Sequence, residues 1–176
     1  MVLNDREIQG LVKSHNLIEG FSKDRLNSFG YDLTLSEDFL VPMFDMSEVI
    51  VIDPLAIKPE SFKKFKGPIC IIPPNSFILG RSVETVNMPR DVTGLCLGRS
   101  TYARCGIIAN VTPLEAGWRG IVTIEISNST PLPVKVYANK GIVQVLFFTG
   151  NTPDRTYVEK GGRYQNQVDI TLPRGL

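Results

Sequence analysis

Histidine and paired cysteines are scarce in this sequence, and their scarcity excludes several kinds of active site. The 176 residues include one histidine and three cysteines. A Ser-His-Asp triad or a histidine-rich metal centre needs more than His15, which we expect to be an exposed polar residue. The number of cysteines is odd, and no C-x-x-C pair occurs among Cys70, Cys96 and Cys105. The cysteines therefore indicate neither a zinc site nor a disulfide framework. We expect each to be a small buried residue.

Long apolar runs and clustered charge are also absent. No run of 18 apolar residues occurs, and the first six residues hold no apolar signal-peptide core, so we expect a cytoplasmic protein with no membrane partner. The 19 Lys and Arg are scattered and balanced by 18 Asp and Glu, which is not typical of nucleic-acid binding. The P-loop, dinucleotide-binding and zinc-deaminase motifs are missing.

What is present is a strand-rich pattern behind one predicted helix. Asn4 and Glu7 have the spacing of a capping box, and Ile8, Leu11 and Val12 share one helical face. The periodicity then changes to two, with turn residues about every ten positions, which predicts a mainly β sandwich or barrel. The predicted strands are 31–36, 49–52, 69–72, 77–80, 94–97, 107–111, 121–127, 134–137 and 143–148.

The length suits a single domain comprising residues 1–176. Within it, the polar stretch from Lys58 to Lys66 predicts a surface loop or a short helix. From about residue 150 glycine and polar residues dominate, which predicts an extended C-terminal arm lying over the body or over a neighbouring subunit.

The segment from Gly98 to Arg104 is more polar than the apolar strand before it. It combines a glycine, two arginines and hydroxyl side chains within seven residues. Backbone amides and hydroxyls donate hydrogen bonds to anions, and a guanidinium group binds phosphate through two parallel bonds. The pattern also fits a strand-to-helix turn with Ser100 as N-cap and exposed arginines. Both interpretations remain open on composition alone.

Glu125 lies in the middle of a strong predicted strand. Its carboxyl group lies either on a solvated face or in a partly buried site, and burial without a cation would raise its pKa toward neutrality. Such a group is suited to proton transfer, whereas the alternative is an ordinary exposed glutamate. Alternation places Val122, Ile124 and Ile126 on one face, and Ile121, Thr123, Glu125 and Ser127 on the other.

These two segments belong to a longer set of motifs. The motifs are Ser28-Phe29-Gly30-Tyr31-Asp32-Leu33, Gly98 to Gly106, Asn110-Val111-Thr112-Pro113, Gly117-Trp118-x-Gly120 leading to Thr123–Asn128, Thr130-Pro131-Leu132-Pro133, Gln144 to Phe148, and Arg163-Tyr164-Gln165-x-Gln167. In type and in order, over nearly the whole chain, this set resembles the dCTP deaminase family.

The resemblance implies a dUTPase-like distorted β-barrel or jelly-roll, assembled as a homotrimer with active sites between subunits. It implies hydrolytic deamination of dCTP to dUTP and ammonia, which supplies dUTP for dUMP and dTTP synthesis. Mg²⁺ would be bound through the triphosphate with no direct protein ligand, and zinc would take no part. Inhibition by dTTP is implied in the same way.

The resemblance also implies roles for individual residues. Glu125 would move protons among the attacking water, cytosine N3 and the departing amine, while Ser100 and Arg104 would position the water and stabilise charge. The other implied substrate-binding residues are Val111 and Pro113 for the base, Arg99, Ser100 and Thr101 for the phosphates, and Tyr157, Arg163 and Gln167 for the ribose and phosphates.

Some positions depart from the family pattern or carry two interpretations. Arg163 stands where lysine is usual and keeps the charge. The segment 110–115 is shorter than in many relatives and resembles a branch with Asn-Val-Thr-Pro. Glu115 would contact the 3′-hydroxyl and select deoxyribose, or it is a plain loop carboxylate. Asp32 matches an acidic position of the wider superfamily, or it stabilises a turn.

Two other activities are alternatives. One is a dUTP pyrophosphatase or a bifunctional enzyme that converts dCTP to dUMP. A dUTPase usually has an apolar residue at the position of Glu125, and the glycine-rich phosphate loop is missing from residues 160–164. The other is a non-catalytic nucleotide-sensing trimer, against which the joint retention of Ser100, Arg104 and Glu125 argues.

Overall fold

The computed structural model describes residues 1–43 and 51–175. Its first element is helix α1 (Asp5–His15), which begins with the predicted capping box. The Asn4 side chain accepts hydrogen bonds from two amides of the first turn, and the Glu7 carboxylate accepts one from the Asn4 amide at 2.8 Å. These bonds satisfy amides that a helix start otherwise leaves unpaired. Ile8 is fully buried beneath the helix, and His15 is exposed, as expected.

Strands form the body of the protein, and the predicted mainly β class is confirmed. A one-turn helix, α2 (Ser100–Ala103), lies between two of the strands, and short 3-10 turns cover Lys23–Arg25 and Pro59–Ser61. The strands of the described residues are β1 (Ile18–Glu19), β2 (Tyr31–Pro42), β3 (Phe62–Lys66), β4 (Ile69–Ile72), β5 (Ser76–Asn87), β6 (Val92–Gly98), β7 (Ile107–Asn110), β8 (Arg119–Asn128), β9 (Val134–Tyr137) and β10 (Gly141–Thr149).

All these strands pair antiparallel. The main sheet has the order β6-β10-β2-β5-β8-β7, with β1 added to β5 and β3 added to β2. Its edge strands β6 and β7 contact each other, so the sheet curls into a nearly closed barrel. Strands β4 and β9 form a separate pair. Inward side chains such as Tyr31, Phe39, Ile78, Ile124 and Phe147 are at most 1% exposed and form the core.

One predicted strand is wrong where it can be compared. Of residues 49–52, Val49 and Ile50 lie outside the described residues, and Val51 and Ile52 belong to no strand. Their side chains are 76% and 51% exposed. A run of only four apolar residues does not define a periodicity, so it does not predict which face of a sheet would be buried.

The polar stretch 58–66 also differs from its prediction. It forms a 3-10 turn followed by β3, which pairs with β2 from Asp38↔Lys66 to Pro42↔Phe62. The prediction of a loop or short helix is therefore wrong for Phe62–Lys66. The prediction missed this strand because its aromatic residues are three positions apart, whereas strand alternation has a period of two. Phe65 packs on Phe39 with 6.1 Å between ring centroids. The three lysines of β3 are exposed, as is typical of an edge strand.

The cysteines follow the prediction at two of their three positions. Cys70 and Cys96 are buried, but Cys105 is exposed. The Cys105 amide donates to the Tyr102 carbonyl in the turn that ends α2, which places the thiol outside the barrel core.

After β10 the chain continues as an arm, residues 150–175, that contacts the body of the same chain. Residues 150–175 contain no strand apart from an isolated parallel bridge between Gln167 and Gly120, which lies in β8. The arm therefore crosses the barrel beside the strand that carries Glu125. Among the described residues, no helix has the length and apolar character to cross a membrane.

Candidate active site

Strand β8 places Glu125 at the wall of a cavity whose lining is mainly apolar. Its neighbours in the sheet are Leu79 of β5 and Asn110 of β7. The alternate residues Ile124 and Ile126 are fully buried in the core. The predicted division of this strand into two faces is therefore confirmed, because Glu125 lies on the face away from the core.

Glu125 borders a cavity of about 780 Å³. That volume lies within the range of small-molecule sites, which are usually apolar with a few polar groups. The walls come from β5 and β8, from residues 111–118, from the C-terminal arm and from residues 52–62. The lining includes Phe62, Phe77, Val111, Pro113, Glu115, Trp118, Thr123, Glu125, Tyr157, Tyr164 and Gln167.

The carboxyl group of Glu125 is partly withdrawn from solvent. Its Oε2 atom is buried and has no hydrogen-bond partner among the described residues. Burial raises the pKa of Glu125 above its ordinary value of 4.5, and only its own backbone amide opposes the rise. Burial, with a smaller effect of the Glu125 charge, raises the pKa of Cys96 to about 12. The Cys96 thiol therefore stays protonated at neutral pH.

The arm is attached to β8 at Gln167 and at Thr171. The Ile121 amide donates to the Gln167 carbonyl at 2.8 Å, and the Thr123 hydroxyl donates to the Gln167 side chain at 3.2 Å. The Thr171 amide donates to that same hydroxyl at 3.1 Å. Gly120 has a φ of +155°, and a Cβ there would lie 2.7 Å from the Gln167 nitrogen. The close approach of arm and strand therefore requires glycine at this position.

Aromatic residues connect the arm to the turn before β8. The Trp118 indole donates to the Tyr164 carbonyl at 2.9 Å. The Tyr164 amide donates to the Tyr157 hydroxyl at 2.9 Å, and the Tyr157 amide donates to the Ala116 carbonyl at 2.8 Å. These bonds fix one wall of the cavity with partly exposed aromatic surface.

Glu115 lies at the edge of the same cavity and is exposed. Its carboxylate is 3.5 Å from the Lys160 ammonium of the arm. It also lines an adjoining cavity of about 330 Å³, together with Tyr157. Glu115 therefore borders both cavities.

The polar segment around α2 lies outside this cavity. Arg99, Ser100, Thr101 and Arg104 are exposed and contribute nothing to the lining. Helix α2 begins at Ser100, so Arg99 occupies the N-cap position, and the interpretation of Ser100 as N-cap is wrong by one residue. One chain therefore brings Glu125 together with Val111, Pro113, Glu115, Tyr157 and Gln167, but not with the residues around α2.

Arg99, Asp32 and Arg163 have partners away from the cavity. The Asp32 carboxylate is 3.2 Å from the Arg99 guanidinium and accepts from the Asn27 amide group at 2.9 Å. Asp32 thus stabilises local structure, which is one of its two predicted roles. The Arg163 guanidinium donates to the Gly175 carbonyl at 2.7 Å.

Several residues of the cavity were not predicted as functional. Thr123, Tyr164, Phe62 and Phe77 line it. Thr123 had a signal in the sequence, because it shares the face of β8 with Glu125 two residues away. The two phenylalanines had none, since they reach the cavity from strands that are distant in the sequence.

No three His, Cys, Asp or Glu side chains within residues 1–43 and 51–175 are placed to hold a metal ion together. The polar groups at the cavity are instead one buried carboxyl, one exposed carboxyl, an amide side chain and hydroxyls.

Comparison with known proteins agrees with this description. The chain is 49% identical to a dCTP deaminase of Herpetosiphon aurantiacus and 50% identical to one of Gemmatimonas aurantiaca, each covering 97% of both chains. A dCTP deaminase of Francisella tularensis subsp. novicida is 45% identical, with 98% of both chains covered.

Solved structures show the same fold at low identity. A 2'-deoxycytidine 5'-triphosphate deaminase from Agrobacterium tumefaciens has a TM-score of 0.67 and 17% identity. The match covers 85% of this chain and 48% of that one. An EIAV dUTPase has a TM-score of 0.50 and 15% identity, covering 79% and 88%. The family model described as dCTP deaminase-like matches residues 2–150, and the chain belongs to that family.

Proposed function

We propose that this protein hydrolyses dCTP to dUTP and ammonia. The observation that carries the proposal is the buried carboxyl group of Glu125, whose pKa is raised at the wall of a nucleotide-sized cavity. The named relatives at 45–50% identity over almost the full chain support the same substrate. We place the reaction in the cytoplasm, where dUTP would serve dUMP and dTTP synthesis.

The reaction needs three proton movements, and one carboxyl group can make all of them. Glu125 as carboxylate takes a proton from a water molecule while the oxygen attacks cytosine C4. It then passes the proton to N3, giving a tetrahedral intermediate. A second proton moves from the new hydroxyl through Glu125 to the amine, the C4–N bond breaks, and ammonia leaves. General acid–base work of this kind contributes about 10²–10⁴-fold.

Other residues bind the nucleotide in this proposal. Backbone groups at Val111 and Pro113 recognise the base, and Glu115 contacts the 3′-hydroxyl. Tyr157, Arg163 and Gln167 of the arm close over the ribose and phosphates. The substrate is dCTP with Mg²⁺ on its triphosphate, and dTTP is the proposed inhibitor. The contacts of Gln167 and Tyr157 with the cavity support the arm's part in this.

The residues around α2 require a second subunit. Arg99, Ser100, Thr101 and Arg104 are exposed and lie outside the cavity of their own chain. We propose that a homotrimer brings them to the cavity of a neighbouring subunit. Ser100 and Arg104 then position the water and stabilise charge there, and Arg99 and Thr101 meet the phosphates.

The direct test is incubation of the purified protein with dCTP and Mg²⁺, following ammonia, dUTP and dUMP. We expect equal amounts of ammonia and dUTP. The variant Glu125→Gln keeps the size of the side chain and should still bind dCTP while losing at least about 100-fold in turnover. Bound dCTP without ammonia from the wild-type protein would refute the proposal, and dUMP in place of dUTP would indicate the bifunctional reaction.

A further inference from the structure

We propose that Glu159, acting through Thr156 and Arg90, is a positioning residue that holds Tyr157 in the wall of the cavity. The inference rests on the proposed deamination of dCTP. Glu159 itself does not line the cavity, whereas Tyr157 does.

The Glu159 carboxylate makes contacts in two directions. Its Oε2 atom accepts hydrogen bonds from both the amide and the hydroxyl of Thr156, each at 2.8 Å. The Arg90 guanidinium donates to Oε1 at 2.7 Å and to Oε2 at 3.4 Å. Such two-point, charge-assisted bonds are stronger and more directional than a single contact between exposed charges.

The first of these contacts shapes a tight turn in the arm. Thr156 and Glu159 have the Thr-x-x-Glu spacing of a capping box, in which the glutamate returns to the amide three residues earlier. The turn continues with bonds from the Lys160 amide to the Thr156 carbonyl and from the Gly162 amide to the Tyr157 carbonyl, both 3.0 Å. Tyr157 lies inside this turn.

The second contact attaches the turn to the body. Arg90 lies in the connection between β5 and β6, whereas Glu159 belongs to the arm. Thr156 is 1% exposed and packs on Gly117, where a Cβ would lie 2.8 Å from the Thr156 Cβ. The turn is therefore held between two loops of the barrel, and the carboxylate of Glu159 links them.

Loss of this link should act on substrate affinity rather than on chemistry. If only a fraction of the molecules has the arm docked, the apparent affinity of the protein for dCTP is reduced to that fraction of its intrinsic value. Saturating dCTP shifts the molecules back to the docked state, so kcat is preserved. A role in the chemical step would lower kcat instead. The split between KM and kcat thus separates a positioning role from a catalytic one.

The chain contains a reporter of arm docking that does not depend on catalysis. Its single tryptophan, Trp118, is 5% exposed and donates to the Tyr164 carbonyl of the arm. Undocking exposes the indole to water, so its emission should shift to longer wavelength. The shift can be read without any turnover.

The experiment compares Glu159→Ala, Glu159→Gln and Arg90→Gln with the wild-type protein. Asp154→Asn is the matched control, because it removes an exposed arm carboxylate two residues before Thr156. We expect Glu159→Ala to raise the KM for dCTP about 10-fold with kcat within about 2-fold, and to shift Trp118 emission until dCTP saturates. Glu159→Gln keeps an acceptor for Thr156 and should lie between Ala and wild type.

Two results would overturn the inference. One is a KM for Glu159→Ala equal to that of Asp154→Asn, and the other is unshifted Trp118 emission in the free variant. Glu159→Gln serves the same test if the alanine variant folds poorly. An inactive wild-type protein would contradict the proposed function, whereas the emission measurements would still decide whether Glu159 holds the arm.

Discussion

At the scale of single residues, the cavity contains a carboxyl group, that of Glu125, with an oxygen buried inside its own chain. Burial is the leading cause of the raised pKa of Glu125, and its own amide is the opposing one. In the proposed reaction the carboxylate starts the cycle, so activity should fall as the pH drops through this pKa. In the pH profile of kcat/KM for dCTP, we expect the midpoint of the acidic limb to lie above pH 4.5, because 4.5 is the ordinary pKa of a glutamate. A limb at or below 4.5 would contradict the assignment.

The same burial predicts an effect on stability. The folded protein holds the Glu125 proton at pH values where the unfolded chain has lost it, so stability decreases as the pH rises from 4.5 to the folded pKa. Glutamine does not titrate. Glu125→Gln should therefore melt a few degrees above the wild-type protein at pH 8, with a smaller margin at pH 5. Differential scanning calorimetry at both pH values measures the margin, and a constant difference would refute it.

Sequence periodicity was sufficient to predict which face of β8 carries Glu125, because alternation is a local property. It was not sufficient for Glu159 and Arg90, which meet across 69 positions of the chain. Arg90 belongs to no local motif, and the Thr-x-x-Glu spacing of Glu159 does not predict that its carboxylate also pairs with Arg90. The exposure of Cys105 was missed for a related reason, since the turn after α2 decides it rather than the residue type.

At the scale of elements, the arm depends on glycines that permit close contact. A Cβ at Gly162 would lie 2.1 Å from the Tyr157 ring, so Gly162→Ala must displace the ring or the turn. We expect a rise in the KM for dCTP of about 10-fold, since a displaced wall binds the nucleotide less well. Gly150→Ala is the control, because nothing lies within 4 Å of its Cβ position. Steady-state kinetics compares them, and equal KM values would contradict the role of this contact.

The elements differ in how well the sequence predicted them. Helix α1 and β8 have strong local signals, a capping box in one and clean alternation in the other. Strand β3 had neither signal, because its aromatic residues are three positions apart. Its extended conformation depends on pairing with β2. The docking of the arm likewise depends on bonds to residues about 45 positions earlier, such as that between Gln167 and Thr123. Such contacts are set by tertiary structure, which overrides local preference.

At the scale of the whole molecule, Glu125 and α2 lie apart within one chain, and this separation is the reason for proposing a homotrimer. If neighbouring subunits share each site, a mixture of two inactive variants should recover activity. We expect Glu125→Gln and Arg104→Ala, unfolded and refolded together in equal amounts, to regain about one quarter of wild-type turnover, because a quarter of the sites combine both intact residues. Separately refolded variants mixed afterwards are the control. No recovery would argue against shared sites.

The lysine-bearing strand β3 has a practical consequence for handling the protein. Three positive charges on five residues of a sheet edge discourage two molecules from joining edge to edge, so this side of the barrel resists aggregation. Chemical acetylation of these three lysines would remove the repulsion and should make concentrated samples precipitate. None of the three lysines lines the cavity. Buffers and labelling chemistries that spare amines are therefore the better choice for crystallisation and spectroscopy.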